Sequence, residues 1–146
     1  MFVSTTVCIT PFLVTPDVGK TNLAIALGIL AIEHKYSTYF VNCHNLIQNL
    51  LKASHENRLE DRLKQYSKYK VLIIDEICYL PTNIEGANLF SQLIARQYEK
   101  HSTILTTNKN FGEWGDIFQD LTISAAILDR ALHHSLLLKL LAKVID

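Results

Sequence analysis

The chain has 146 residues, the usual size of one domain, and 49% of them are hydrophobic, which is enough to build a core without disulfides. Fourteen basic residues balance fourteen acidic ones, so the formal net charge is zero. That balance disfavours a dominant polyanion-binding face but leaves room for a local basic patch. We therefore predict a single domain over residues 1–146.

Membrane-spanning, secreted and zinc-binding proteins are also disfavoured. No run of eighteen apolar residues occurs, and no basic residue precedes the first apolar stretch, so we expect neither a membrane span nor a secretory signal. Cys8, Cys43 and Cys78 lack C-x-x-C spacing and a suitably placed histidine. We expect them to be small hydrophobic residues in a cytoplasmic protein.

Strand and helix signals alternate along the chain. We predict strands over residues 6–14, 38–41, 71–74 and 103–107, and helices over 21–35, 42–53, 85–100 and 112–132, the last broken near 120–121. Residues 23–32 are apolar on nearly all sides and predict a buried helix, and the tail after Ser135 is compatible with a short apolar helix. The alternation predicts an α/β fold with a mostly parallel sheet flanked by helices. Ligands of such sheets bind at the carboxyl ends of the strands.

Gly19, Lys20 and Thr21 follow a predicted strand and open a predicted helix, which is the context of a phosphate-binding P-loop. Unpaired N–H groups at the helix N-terminus favour phosphate there. Lys20 would contact the β- and γ-phosphates of a nucleotide, and Thr21 would bind Mg²⁺. Because so short a motif recurs by chance, a second element is needed to support it.

The second element is residues 71–76, with the sequence VLIIDE, in which four aliphatic residues end in two carboxylates. An apolar run of this kind is typical of a strand buried on both faces. Asp75 would hold Mg²⁺ and Glu76 would polarise an attacking water, which is the chemistry of a Walker B element. The alternative is that both acids are a solvated strand end or a helix cap.

Two further polar residues are candidates for the same chemistry. Asn108 ends the strand over 103–107 and could orient the water, or it could simply form a turn. Arg130 lies in a predicted helix and is either a surface residue or an arginine finger that reaches the γ-phosphate of a neighbouring subunit.

Longer segments resemble the IstB-like family, the ATP-binding transposition helpers of insertion sequences, which are related to DnaC-type helicase loaders of the AAA+ class. The likeness runs over residues 18–135 and is carried by the segments VGKTNLAIALG, NRLEDRLKQYSKYKVLIIDEICYLP, EGANLFSQLIARQYEKHSTILTTNKNFGEWGDIF and AAILDRALHHS.

The resemblance implies a P-loop NTPase fold of the AAA+ type, ATP and Mg²⁺ as ligands, assembly on DNA and delivery of a transposase. It also implies a homo-oligomer, since an arginine finger acts in trans. The residues that match the family motifs are Gly19, Lys20 and Thr21 for Walker A, Asp75 and Glu76 for Walker B, Asn108 for sensor 1 and Arg130 for the arginine finger. Basic residues over 58–70 are a further candidate for DNA contact, although a solvated helix face with i,i+4 pairs is the favoured explanation.

The chain departs from the family pattern in its Walker A loop and at both ends. Val14 and Asp17 stand where the family has glycines that let the backbone approach the phosphates. The N-terminal DNA-binding segment and the sensor 2 arginine are not recognisable, so we expect a truncated chain with a degenerate Walker A motif. ATPase activity is accordingly left open. The alternatives to an active helper are a weakly nucleotide-binding remnant that keeps an interaction surface, and a helicase-loader-like ATPase in DNA replication.

The loop substitutions give a first prediction. A carboxylate about 5 Å from a phosphate charge costs roughly 3 kcal/mol at an effective dielectric constant of about 20, or about a hundredfold in affinity. We expect the double reversion Val14→Gly, Asp17→Gly to bind ATP much more tightly than the natural chain in a nucleotide titration. Equal affinities would contradict the interpretation of the loop as degenerate.

Overall fold

A computed structural model describes residues 6–11, 18–77, 82–98, 100–107, 109, 111–132 and 135–140. The strands are β1 (Thr6–Pro11), β2 (Thr38–Asn42), β3 (Val71–Ile77), β4 (Ser102–Thr107) and β5 (Ser135–Leu140). The helices are α1 (Val18–Glu33), α2 (Cys43–His55), α3 (Leu59–Ser67), α4 (Ile84–Gln97), α5 (Trp114–Ile117) and α6 (Leu121–Leu132), with a 3-10 turn over Phe111–Glu113 before α5.

The five strands form one sheet in the order β2-β3-β4-β1-β5, and every neighbouring pair is parallel. Helices connect the strands, as parallel pairing requires. The predicted α/β class with a parallel sheet is therefore confirmed. All carboxyl ends of the strands share one edge of the sheet, here called the carboxyl edge, and all amino ends share the opposite, amino edge.

The central strand β3 explains why residues 71–76 are continuously apolar before the acids. Alternate side chains of a strand point to opposite faces. Leu72 and Ile74 join the larger core cluster with α2, α4 and α6, whereas Val71 and Ile73 join a smaller cluster under α1. Both faces are covered, so neither set of alternate residues can be polar.

The helix predicted over 23–32 is less buried than expected. One side of α1 packs on the sheet through Ala24 and its neighbours, but Ile25, Ile29 and Ile32 are 42%, 53% and 59% exposed. The sequence is apolar on both sides of this helix, so its pattern could not show which side faces the sheet.

The tail prediction was wrong, because residues after Ser135 form β5 rather than a helix. The backbone of β5 pairs in parallel with β1 over six residues, from Thr6 opposite Ser135 to Pro11 opposite Leu140. A short apolar run is compatible with a helix or with a strand of a parallel sheet. Here the run pairs with the free edge of β1 and therefore forms a strand. The predicted break near 120–121 is confirmed: Asp120 accepts a hydrogen bond from the backbone N–H of Ile123 (2.9 Å) at the start of α6.

Within the part of the chain that the structure describes, no helix is long and apolar enough to cross a bilayer. Cys43 is a buried free thiol, and Cys78 lies outside the described residues. Over the same described ranges, no group of three or more histidine, cysteine or acidic residues could hold a metal.

Gly28 lets α1 approach β3 closely and gives a second prediction. A Cβ at this position would lie 2.7 Å from Cδ1 of Ile73, inside the smaller core cluster. We expect Gly28→Val to lower the free energy of unfolding by about 1–3 kcal/mol through overpacking. Gly112→Val is the control, because nothing lies within 4 Å of a Cβ there, and it should change stability by less than about 0.5 kcal/mol. Equal effects in urea unfolding would contradict the packing argument.

Candidate functional site

The N-terminal turn of α1 and the ends of β2, β3 and β4 meet at the carboxyl edge. Gly19 is exposed and has open space where a side chain would stand, so a ligand can approach the backbone closely there. Lys20 follows it and is only 4% exposed, which is rare for a lysine. The first turn of α1 contains no acidic residue that would oppose an anion at this helix end.

Thr21 connects α1 to the end of β3. Its hydroxyl donates to the carboxylate of Asp75, at 3.1 Å from Oδ2 and 3.3 Å from Oδ1. Asp75 is 5% exposed and also accepts a short hydrogen bond from the hydroxyl of Thr106 on β4. A hydroxyl and a carboxylate in contact are the oxygen donors that Mg²⁺ prefers, so the residues present fit that ion.

A bulge shapes the end of β3. Ile74 pairs with Leu105 and Ile77 with Thr107, so two residues of β3, Asp75 and Glu76, stand opposite Thr106 alone. Glu76 has a φ of 59°, in the left-handed region that costs a non-glycine residue about 1–2 kcal/mol. Its backbone N–H donates to the Thr106 hydroxyl at 2.8 Å. One threonine therefore holds both acids of the predicted Walker B element.

Asn42, the last residue of β2, fixes the Glu76 carboxylate. Its side-chain Nδ2 donates to Oε2 of Glu76 at 2.8 Å. Its Oδ1 accepts from the backbone N–H groups of His44 (2.9 Å) and Asn45 (3.4 Å) and so caps α2. Because the cap uses the oxygen, the amide nitrogen must face Glu76.

Most of the predicted site residues come together at this edge. Gly19, Lys20 and Thr21 begin α1, and Asp75 and Glu76 end β3. Asn108 lies outside the described residues, as do Val14 and Asp17 in the preceding loop.

Arg130 is not brought to the carboxyl edge. It is half-buried in the last turn of α6, which packs on α4, β1 and β5. In the described part of the chain no hydrogen bond or ion pair is seen between Arg130 and the other predicted site residues.

Sequence reasoning missed Asn42 and Thr106. Asn42 was predicted only as the start of a helix, although an asparagine at that position is a preferred N-cap and directly follows a strand, which places it at the carboxyl edge. Thr106 is one of several β-branched residues in its strand, and its contact with both acids depends on the bulge. No sequence signal marks that bulge.

A parallel sheet with a lysine and threonine opening α1, and an aspartate and glutamate ending β3, defines the P-loop nucleotide-binding class. The sequence profile of the IstB-like ATP binding proteins matches residues 3–143. The chain therefore belongs to the IstB-like family, and the resemblance found in the sequence is confirmed.

Curated relatives come from insertion sequences. The chain is 60% identical over 124 residues to the ATP-binding protein assigned to insertion sequence IS232 of Bacillus thuringiensis subsp. berliner, a match that covers 85% of this chain and 50% of that protein. It is 54% identical over 120 residues to the corresponding IS21 protein of Pseudomonas aeruginosa, which covers 82% of this chain and 45% of that one. The chain thus spans about half the length of these relatives.

Solved structures share the fold. The crystal structure of the DnaC helicase loader superposes with a TM-score of 0.67 at 22% identity, over 93% of this chain and 78% of that one. A structure of the replication initiator DnaA bound to AMPPCP and single-stranded DNA gives a TM-score of 0.74 at 16% identity, over 95% of this chain and 41% of that one. At these identities the likeness establishes the AAA+ fold alone.

The double contact of Asn42 gives a third prediction. Asn42→Ala removes the cap of α2 and the hydrogen bond to Glu76, and we expect it to lower the free energy of unfolding by about 1–2 kcal/mol. Asn42→Asp keeps a capping oxygen but places a second carboxylate beside Glu76. Its loss of stability should shrink as salt screens the repulsion, whereas that of Asn42→Ala should not. Urea unfolding at low and high salt checks this, and the same salt response in both variants would contradict it.

Proposed function

We propose that this chain is an ATP-binding transposition helper of an insertion sequence. The observation that carries the proposal is the contact between Thr21 of α1 and Asp75 of β3, which joins the P-loop helix to the predicted Walker B acid. Family membership and relatives named as insertion-sequence ATP-binding proteins support the same assignment.

ATP would bind with its phosphates at the N-terminus of α1. The open space at Gly19 admits the phosphates to the backbone, and the positive end of the helix dipole attracts them. Lys20 begins the same helix turn and would neutralise part of the phosphate charge. Asp17, which precedes it in sequence, opposes this attraction, so we propose weaker binding than a glycine at that position would allow.

Thr21 and Asp75 would hold Mg²⁺, which when bound neutralises charge on the β- and γ-phosphates. The role of Asp75 is then to position the ion at the end of β3, and Thr106 keeps the carboxylate oriented through its hydroxyl. Burial of Asp75 limits competition from water for the same oxygens.

Glu76 is the proposed catalytic base that polarises the attacking water. The bulge turns its backbone toward Thr106, and Asn42 holds one carboxylate oxygen by a hydrogen bond. That hydrogen bond restrains the carboxylate in one orientation. Asn108 would orient the same water, and Arg130 would act on the site of a neighbouring copy in a homo-oligomer.

We further propose that ATP binding and hydrolysis are coupled to assembly on DNA and to delivery of a transposase. Insertion-sequence relatives at 60% and 54% identity favour it over a helicase-loader role, since the similarity to the loader is at the level of fold. The other candidate is a weakly binding remnant, favoured by Val14 and Asp17 in the phosphate loop.

A nucleotide titration with a fluorescent ATP analogue tests the site and is our fourth prediction. We expect Lys20→Ala to weaken binding by about 10- to 100-fold, since it removes a charge-assisted hydrogen bond. Lys52→Ala, an exposed lysine on α2, is the control and should bind as the natural chain does. Unchanged affinity in Lys20→Ala would overturn the proposal.

The magnesium site is tested in the same titration. Thr21→Ala should abolish the gain in ATP affinity on adding Mg²⁺, and Thr21→Ser, which keeps the hydroxyl, should retain it. The natural chain and the double reversion Val14→Gly, Asp17→Gly are compared with and without Mg²⁺. If only the reversion binds ATP, the chain is the weakly binding remnant and not an active helper.

A further inference from the structure

A second charged surface lies at the amino edge of the sheet, opposite the proposed ATP site. The segments that precede β2, β3 and β4 are residues 34–37, 68–70 and 98–101, and they contain four lysines, two histidines and one glutamate. Lys35, Lys68, Lys70 and Lys100 are all exposed. The surface is therefore positive although the chain as a whole is neutral.

Hydrogen bonds donated by backbone N–H groups hold these segments together. The N–H of Lys70 donates to Oγ of Ser37 (3.0 Å), and the N–H of Ser102 donates to the carbonyl of Lys70 (3.0 Å). Lys70 thus lies between the start of β2 and the start of β4. Lys70 directly precedes β3 and Lys100 lies two residues before β4, so the paired strands fix the backbone positions of these two lysines.

His101 lies within range of the charges of two of these lysines. Its pKa is lowered, first by burial and then by the positive charges of Lys70 and Lys100. These three side chains come from the starts of β3 and β4, which pair with each other. The charges of Lys70 and Lys100 therefore act on the same place, where they would attract an anion.

Three tyrosines pack together beside Lys68 and Lys70, and one of them, Tyr39, belongs to the edge strand β2. The ring of Tyr39 stacks on Tyr69 with centroids 5.0 Å apart, and it meets Tyr66 edge to face at 5.9 Å. Tyr66 is buried, and its hydroxyl accepts a hydrogen bond from Asn49, so the group is held rigidly. Tyr39 remains 37% exposed, and Nζ of Lys68 lies 5.2 Å from the ring centre of Tyr69.

We propose that the basic strip, defined as Lys68, Tyr69, Lys70 and Lys100 together with Tyr39, binds single-stranded nucleic acid. Lysines at fixed spacing would contact successive phosphates, and an unpaired base would extend the stack of tyrosine rings. A duplex offers phosphates but no free base faces, so the rings favour a single strand. The inference rests on the proposed association with DNA and places one contact at the edge farthest from the ATP site.

Fluorescence anisotropy with a labelled oligothymidylate on the 146-residue chain tests the strip and is our fifth prediction. We expect Lys68→Ala, Lys70→Ala to weaken binding about tenfold and to reduce the slope of log affinity against log salt by about 1.4, as for two lost phosphate contacts. The control is Lys52→Glu, which changes the net charge by the same two units at an exposed position of α2 outside the strip. The control should bind as the natural chain does.

Stacking is tested separately at Tyr69. Tyr69→Leu should weaken binding about tenfold without changing the salt slope, and Tyr69→Phe, which keeps the ring, should restore it. An unchanged midpoint of urea unfolding in every variant shows that the fold is intact, whether or not the natural chain binds ATP.

The outcomes distinguish failure of the basic strip from failure of the proposed function. If the natural chain binds duplex DNA but no single strand, or if the Lys52 control weakens binding as much as Lys68→Ala, Lys70→Ala does, the strip is wrong while the ATP site stands. If polyglutamate displaces the oligonucleotide and Tyr69→Leu has no effect, the surface binds acidic partners in general and the proposal is overturned. Loss of ATP binding in Lys20→Ala tests the other site independently.

Discussion

The buried carboxylate of Asp75 is the interaction on which the carboxyl edge depends. A carboxylate at 5% exposure is costly unless polar groups replace the water it has lost. Two hydroxyls do so, from Thr21 on α1 and Thr106 on β4. The Asp75 carboxylate therefore connects α1 to the sheet and β3 to β4. Because it needs hydrogen-bond donors, the hydroxyls of Thr21 and Thr106 lie next to it.

Glu76 shows how one strand end can supply two acids to one site. In a regular strand, consecutive side chains point to opposite faces, so Asp75 and Glu76 would separate. The bulge adds a residue to β3, and the positive φ of Glu76 turns the chain so that Thr106 serves both. The strain is offset by the hydrogen bonds at the Glu76 backbone and carboxylate. Removal of the Asn42 side chain would therefore let the Glu76 carboxylate change its orientation while the fold is retained.

Much of this edge follows from the sequence, because its main elements have strong signals. A continuous apolar run ending in two acids predicts a central strand, and a glycine, lysine and threonine before an apolar helix predict the phosphate end of that helix. Topology then brings them together without further information. The bulge has no such signal, so the shared role of Thr106 could not be predicted. The strand after Ser135 was missed for a related reason, since only the open edge of β1 distinguishes it from a helix.

The chain has zero net charge, but its positive and negative charges are distributed unequally between the two edges of the sheet. Asp75 and Glu76 end β3 at the carboxyl edge, while Lys68 and Lys70 precede the same strand at the amino edge. Five residues separate Lys70 from Asp75, so at about 3.3 Å per residue their backbone positions lie roughly 16 Å apart, about twice the Debye length of about 8 Å at physiological salt. An anion at the basic strip would therefore neither compete with phosphates at α1 nor cancel the acids that hold Mg²⁺. Any coupling between the two ligands must pass through the packing of α1, β3 and β4 rather than through the electrostatic field.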